Sequence, residues 1–260
     1  QAANNLPNIP GKEIRNIFGA DLGGPIKKDK LFFFGNYEGW RQAENVEVQR
    51  TVPTASYRAG NFTYVTDPQG DTNTLSMAQV AQLDSGCQIC NTAAYPNPPG
   101  PNPNALAYFQ SMPASNGFAL GDGVTLGSFA FSSPAPIHLN TSIVKLDYIP
   151  SDRHRIFVRG NLQDDSTVYA EQFPGTGPSQ VMQDDSKGIA AGDTWTINPR
   201  IINDLRYGFV RQGTSTRGPA TGEYIDFRFM SAPTSENRSR VISIPVNNII
   251  DNLSWTKGNH

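Results

Sequence analysis

Long hydrophobic runs are missing from the sequence. Nowhere do about 18 apolar residues follow one another, which is the length that a membrane-spanning helix requires. Only 37% of the 260 residues are hydrophobic. This composition does not exclude strands that cross a membrane, because such a strand needs only about 10 residues that alternate between an apolar and a polar face. The absence of long hydrophobic runs therefore excludes a membrane-spanning helix, while soluble folds and membrane-spanning strands remain possible.

An excess of charge of one sign is also missing. Lysine and arginine together number 21, and aspartate and glutamate together number 23. No net basic field is available to hold a phosphate backbone or an anionic membrane surface. We therefore expect no nucleic-acid partner.

Cysteine is scarce, and the only two cysteines lie close together at Cys87 and Cys90. Redox active sites, half zinc sites and small loop disulfides share this spacing. No histidine or second cysteine pair lies nearby, which disfavours zinc, and a redox site needs a βαβ setting that the sequence does not show. We favour a local disulfide between Cys87 and Cys90 in an exported loop, with unpaired thiols as the alternative.

Candidates for catalysis are few. The three histidines are expected at the surface, because none has a serine, cysteine or acidic partner at a motif-like spacing: His138, His154 and His260. The pairs Asp164-Asp165 and Asp184-Asp185 offer the oxygen ligands that Ca²⁺ prefers, but solvated loop ends are the simpler interpretation. We therefore predict no catalytic, cofactor-binding or metal-binding residue, and we do not expect an enzyme.

Strand-like alternation is the main pattern that is present. Helical periodicity is confined to a short stretch at residues 77–83. The clearest strand is residues 155–163, where Ile156, Val158 and Leu162 fall on one face and Arg155 and Arg159 fall on the other. Seven segments are predicted as strands: residues 15–24, 31–41, 139–149, 155–163, 188–197, 201–212 and 249–256.

The connections between these segments alternate strictly in length. Short links at residues 25–30, 150–154 and 198–200 are separated by long links at residues 42–138, 164–187 and 213–248. Transmembrane barrels have tight turns at the periplasmic rim and long loops outside the cell, whereas sandwiches distribute loop lengths less regularly. This alternation of short and long links predicts an all-β fold made of antiparallel strands of an outer-membrane β-barrel.

The two faces of the predicted strands differ in chemistry. We expect the lipid face to carry Ile156, Val158, Leu162, Leu205, Tyr207 and Phe209. The opposite, lumen-facing side is expected to carry Lys145, Asp147, Arg155, Arg159, Asp204 and Arg206. These charged side chains would meet either a domain inside the barrel or a passing substrate.

The most specific stretch is residues 16–41, which reads NIFGADLGGPIKKDKLFFFGNYEGWR. It resembles the early barrel of Oar-like TonB-dependent outer-membrane transporters, which carry a pattern like N-x-F-G-x-x-x-G-G-P-I-x-K-D-K-x-F-F-F-x-x-Y-E. The resemblance continues in Val144-Lys-Leu-Asp-Tyr148, in Thr194-Trp-Thr-Ile-Asn-Pro199 and in residues 251–260. It runs essentially from end to end and is weakest in residues 70–133.

Membership of that family implies a 22-stranded barrel, plugged from within and driven by the TonB complex. The expectation is that residues 1–260 form a partial barrel of about seven strands with a long extracellular loop at about residues 42–138. A plug domain and barrel closure are expected to be absent, because about seven strands cannot close a barrel of that size. Both ends of the chain are interpreted as truncations.

The resemblance implies a receptor that binds a substrate and moves it across the outer membrane of a Gram-negative bacterium. Its expected partners are membrane lipid, the TonB complex through a plug outside this chain, and an unknown small-molecule, glycan or peptide substrate. No cofactor is expected. The alternative is a secreted or surface-attached β-sandwich that acts as an adhesin or glycan-binding module. A sandwich buries its apolar strand faces, so the accessibility of those faces distinguishes the two.

Overall fold

A computed structural model describes residues 13–258 of the protein. It contains strands β1 (Glu13–Lys27), β2 (Leu31–Pro53), β3 (Phe62–Val65), β4 (Thr72–Leu75), β5 (Leu126–Pro134), β6 (Ile137–Ser151), β7 (His154–Gln163), β8 (Asp165–Val168), β9 (Val181–Asp184), β10 (Lys187–Asn198), β11 (Ile201–Arg217) and β12 (Arg240–Trp255). The helices are short: α1 (Ala55–Arg58), α2 (Met77–Leu83) and α3 (Pro103–Gln110).

Seven long strands form one antiparallel sheet in the order β1-β2-β6-β7-β10-β11-β12. These are the seven segments that the sequence predicts, and each pairs with the next long strand along the chain. The all-β, antiparallel prediction is therefore confirmed. Three tight turns connect the strands at one end of the sheet, which we call the short-turn end, and the long connections leave from the opposite, long-loop end.

Local chemistry explains the tight turns. Between β1 and β2, Asp29 adopts a left-handed conformation with φ of 59°, which aspartate tolerates better than most residues, and the Lys30 N–H donates to the Lys27 carbonyl at 3.0 Å. Between β10 and β11, the Arg200 N–H donates to Asn198 Oδ1 at 2.9 Å. These local hydrogen bonds reverse the chain within a few residues.

The long connections are shorter than the sequence predicts, because the strands continue beyond the alternating segments. β2 runs to Pro53 and pairs there with β5, and β8 and β9 continue the sheet beyond the ends of β7 and β10. β12 begins at Arg240 rather than at residue 249. At 17 residues, β11 is about 58 Å long, which exceeds the roughly 10 residues that cross a bilayer.

The hydrophobic core lies at the long-loop end. We call this region the cap; it comprises residues 45–134, 169–180 and 218–239. Its buried cluster contains Val52, Phe109, Met112 and Phe173. The connection predicted at about residues 42–138 therefore carries secondary structure and a packed core: its Pro, Gly and Ser content gives no sign of β5 or α3, while helix α2 lies at the predicted residues 77–83.

The β-sandwich alternative does not describe this fold. In the part of the chain that the structure describes, the seven long strands share one sheet, and large apolar side chains on one of its faces are exposed rather than packed against a second sheet. No helix among the described residues is long and apolar enough to cross a membrane.

Candidate functional site

The six charged residues predicted from alternation lie on one face of the sheet. Residues paired across antiparallel strands point to the same side, and the pairing register connects all six through their partners. We call this side the charged face: Lys145 and Asp147 on β6, Arg155 and Arg159 on β7, and Asp204 and Arg206 on β11. The structure thus brings together residues that are up to 61 positions apart in the sequence.

Two ion pairs form along the strands of the charged face. Lys145 Nζ lies 2.8 Å from Asp147 Oδ1, and Arg206 Nη2 lies 2.9 Å from Asp204 Oδ2. The Thr194 hydroxyl donates to the other Asp204 oxygen at 3.1 Å. Such partly exposed pairs contribute little to stability, about 0 to 1 kcal/mol each, so their main effect is to set the local charge.

An open depression of about 440 Å³ lies within the charged face. Its wall is formed by three cationic and three apolar side chains: Lys145, Arg159, Arg206, Phe34, Ile143 and Phe157. The register places Gly188, Ala190 and Gly192 of β10 on this face, between β7 and β11. A Cβ on Gly192 would lie 2.6 Å from Phe157 Cε1, so the missing side chain lets the Phe157 ring cross β10.

The opposite side of the sheet is apolar and exposed; we call it the apolar face. Alternation along β6 is clear, since Val144, Leu146 and Tyr148 are exposed while Lys145 and Asp147 are half-buried. The register also places on this face all six residues that the sequence assigns to lipid: Ile156, Val158, Leu162, Leu205, Tyr207 and Phe209. A water-soluble domain shows the reverse arrangement, because it buries its apolar side chains.

Aromatic residues mark the short-turn end of the apolar face. Tyr148, Trp195 and Trp255 are each more than 40% exposed there. Aromatic side chains of this kind form girdles where a barrel meets the membrane–water interface. Next to them, His154 Nδ1 lies 2.7 Å from Asp193 Oδ2.

Comparison with family models gives the match that this arrangement suggests. Residues 2–260 match the model of an outer membrane beta barrel domain. The chain belongs to this family. The barrel domain therefore lies in the outer membrane of a Gram-negative bacterium.

One solved structure is similar to the barrel domain. The ferric-catecholate import receptor Fiu of E. coli K12, in its closed form, is 11% identical in sequence, with a TM-score of 0.37. The match covers 94% of this chain and 30% of the Fiu chain, so the barrel domain spans less than a third of that receptor. Among curated proteins, no sequence matches significantly.

The cap of the barrel domain joins all three long connections into one packed unit. Arg50 of β2 donates to the carbonyls of Glu171 and Gln172, and Thr51 exchanges hydrogen bonds with Ser231. A second depression, of about 350 Å³, opens beside α3 and is lined mainly by apolar side chains. The cap is therefore held by contacts between connections that are far apart in sequence.

An aromatic cluster stabilises the connection between α3 and residues 218–239. The Tyr108 ring lies 5.0 Å from that of Phe227, and the Tyr108 hydroxyl donates to the Ile225 carbonyl at 2.6 Å. Burial raises the pKa of Tyr108, and the carboxylates of Asp226 and Glu236 raise it further. The Tyr108 phenol therefore stays protonated and remains a hydrogen-bond donor at neutral pH.

The two cysteines lie in the cap, after α2. The structure joins Cys87 and Cys90 through a disulfide, with their Cα atoms 5.5 Å apart. Asp84 brings a carboxylate oxygen within 4.8 Å of both sulfur atoms. Because each sulfur is bonded to the other, neither is a thiolate that could hold zinc.

One member of each aspartate pair predicted at a loop end lies in the extended sheet, Asp165 in β8 and Asp184 in β9, while Asp164 and Asp185 lie just outside these strands. Asp165 and Asp184 face each other across β8 and β9. Their carboxylates accept hydrogen bonds from nearby groups: Asp165 from the Asn140 N–H, and Asp184 from the Ser186 N–H. Local donors therefore engage both carboxylates.

The remaining predictions for the histidines have mixed outcomes. His138 lies at the start of β6, as predicted; His154 begins β7 rather than lying in the turn before it, and His260 lies outside the described residues. The pairing of His154 with Asp193 has no motif-like spacing, because it depends on the register between β7 and β10. The row of small residues at Gly188, Ala190 and Gly192 was not predicted as part of a site, although its period of two is readable in the sequence.

Proposed function

We propose that this barrel domain is part of a TonB-dependent receptor of the Oar-like kind, which binds a substrate and moves it across the outer membrane. One observation carries the proposal: the segment that resembles Oar-like transporters, residues 16–41, coincides with the β1–β2 hairpin of the sheet. The division of the sheet into a charged and an apolar face supports the same function, since a receptor barrel needs a polar lumen and a lipid-facing exterior.

In this proposal the charged face lines the lumen, and the apolar face contacts lipid. The short-turn end lies at the periplasm, and the cap projects outside the cell, because barrels carry their tight turns at the periplasmic rim. The strands are longer than the membrane requires, so their long-loop ends reach beyond the bilayer and carry the cap.

The proposed partners follow from this placement. Outer-membrane lipid covers the apolar face, and the TonB complex acts through a plug domain that is not among these 260 residues. The substrate is a small molecule, glycan or peptide that enters past the cap. We propose binding and translocation without covalent chemistry, so that energy comes from TonB and not from a reaction in this domain.

Growth experiments test the dependence on TonB. A strain that lacks this gene is compared with a strain that lacks tonB over a panel of single carbon, nitrogen and iron sources. We expect the gene deletion to impair growth on one source, with the tonB deletion impairing growth on the same source. A plasmid copy of the gene is expected to restore growth only when tonB is present.

Restoration of growth without tonB would contradict the proposal, since it would show passive diffusion through the barrel. The control is a plasmid copy of an unrelated general porin, which is expected to restore growth on small solutes independently of tonB.

A further inference from the structure

A row of small residues on β10 lies between the β7 and β11 side chains that line the depression on the charged face. Gly188, Ala190 and Gly192 follow one another at every second position of β10 and so share this face. Side chains from the flanking strands approach this row closely: a Cβ on Gly192 would lie 2.6 Å from Phe157 Cε1 of β7 and 3.2 Å from Arg206 Cγ of β11. The small residues of β10 therefore leave room for the Phe157 ring, which lines the depression.

The charges around the depression do not cancel. Lys145 and Arg206 each have a carboxylate within 3 Å, at Asp147 and Asp204. Arg159 has no ion-pair partner among residues 13–258, although it lines the depression with them. Three cations and no carboxylate form the wall, so the depression is electropositive and one guanidinium fork remains available.

Apolar groups form the rest of the wall. Phe34 of β2 and Phe157 of β7 supply two aromatic rings, and Ile143 of β6 adds an aliphatic side chain. Lys145 Nζ lies 6.0 Å from the centre of the Phe157 ring. The depression thus offers a cationic group beside a flat apolar surface, which is the combination that recognises an anion attached to a ring or another flat apolar body.

We propose that this depression is a substrate subsite for small carboxylates that carry an aromatic or other flat apolar part. Arg159 binds the carboxylate through its planar fork, and Phe34 and Phe157 contact the apolar part. A volume of about 440 Å³ suits a small molecule and is too small for a folded domain. The inference rests on the proposed function, because a solute reaches this face only if it lines the lumen.

Equilibrium binding to the full-length protein in phosphatidylcholine nanodiscs tests the subsite. The probes are benzoate and its neutral analogue benzamide, observed by saturation-transfer NMR. We expect benzoate to bind more tightly than benzamide. The variant Arg159→Gln should weaken benzoate binding about tenfold, because a hydrogen-bonded ion pair is lost. Arg155→Gln is the matched control, since Arg155 lies on the same strand and face but outside the depression.

Equal affinity for benzamide, no binding of benzoate, or an equal loss in both arginine variants would each overturn the subsite. If Arg159→Gln does not fold, Lys145→Gln replaces it, and this variant is expected to weaken benzoate binding and to leave benzamide binding unchanged. The measurement involves no TonB. If benzoate does not bind as expected but growth depends on TonB, only the subsite is refuted. If growth does not depend on TonB, the proposed function is refuted, whatever the binding result.

Discussion

At the scale of single residues, Gly192 sets how closely side chains from β7 and β11 can pack over β10. A Cβ at this position would lie 2.6 Å from Phe157 Cε1 and 3.0 Å from the Leu205 carbonyl oxygen. We expect Gly192→Ala to destabilise the protein by about 1 kcal/mol, because the Phe157 ring must move while the Leu205 carbonyl cannot. Urea unfolding of the full-length protein in lipid vesicles measures this change.

Gly208 is the matched control on the neighbouring strand. It lies on the same face, but the nearest atom to its added Cβ would be 4.0 Å away. Gly208→Ala is therefore expected to be neutral or stabilising, because alanine loses less backbone freedom on folding than glycine. Equal destabilisation by the two variants would show that strand propensity, and not crowding by Phe157, determines the result.

At the scale of elements, the cap depends on α3. Phe109 is 7% exposed and stacks on Tyr57 with ring centres 5.1 Å apart. We expect Phe109→Ala to destabilise the cap by about 3–5 kcal/mol, the usual effect of removing a buried phenylalanine. Arg58 donates to the Phe109 carbonyl at 3.2 Å, so opening of the cap exposes a trypsin site. Trypsin cleavage at Arg58 should become about a hundredfold faster or more.

The matched control for the cap is Phe118→Ala. Phe118 lies in the same connection but is 68% exposed, and its removal should leave the cleavage rate nearly unchanged. Resistance of the sheet to heat in sodium dodecyl sulfate should persist in both variants, because the cap core and the seven-strand sheet are separate packing units. Unchanged cleavage in Phe109→Ala would argue that hydrogen bonds rather than aromatic packing hold the cap.

At the scale of the whole molecule, the orientation of the sheet in the membrane is the property to test. Val144 lies on the apolar face and is 59% exposed. Val144→Arg places a charge against lipid, which costs about 2–4 kcal/mol near the bilayer midplane. We expect a matching loss of stability of the full-length protein in lipid vesicles, with less protein assembled in the outer membrane.

Asn36→Arg is the control at nearly the same depth. Asn36 pairs with Ile143, the neighbour of Val144, and so lies on the charged face. Arginine there is expected to be tolerated, because the proposed lumen is polar. If Asn36→Arg were the more damaging change, the two faces would be assigned the wrong way round.

The seven long strands, their two faces and the alternation of short and long connections could be predicted from the order of residues alone. Side chains alternate strictly along a strand, so Lys145 and Asp147, like Arg155 and Arg159, had to share a face within each strand. Helix α2 was also readable, because Ser76 and Gln79 form a capping box at its start. These features are local, since each depends on residues within a few positions of one another.

The register of the strand pairs and the contacts between distant segments, by contrast, could be read only from the folded chain. The His154–Asp193 pair, the depression on the charged face and the cap core each join residues that are distant in the chain. The extension of β2 to Pro53 became visible only beside β5, because proline- and serine-rich segments have weak strand propensity by themselves. Long-range pairing stabilises such segments through cross-strand hydrogen bonds, which no local pattern of residues reports.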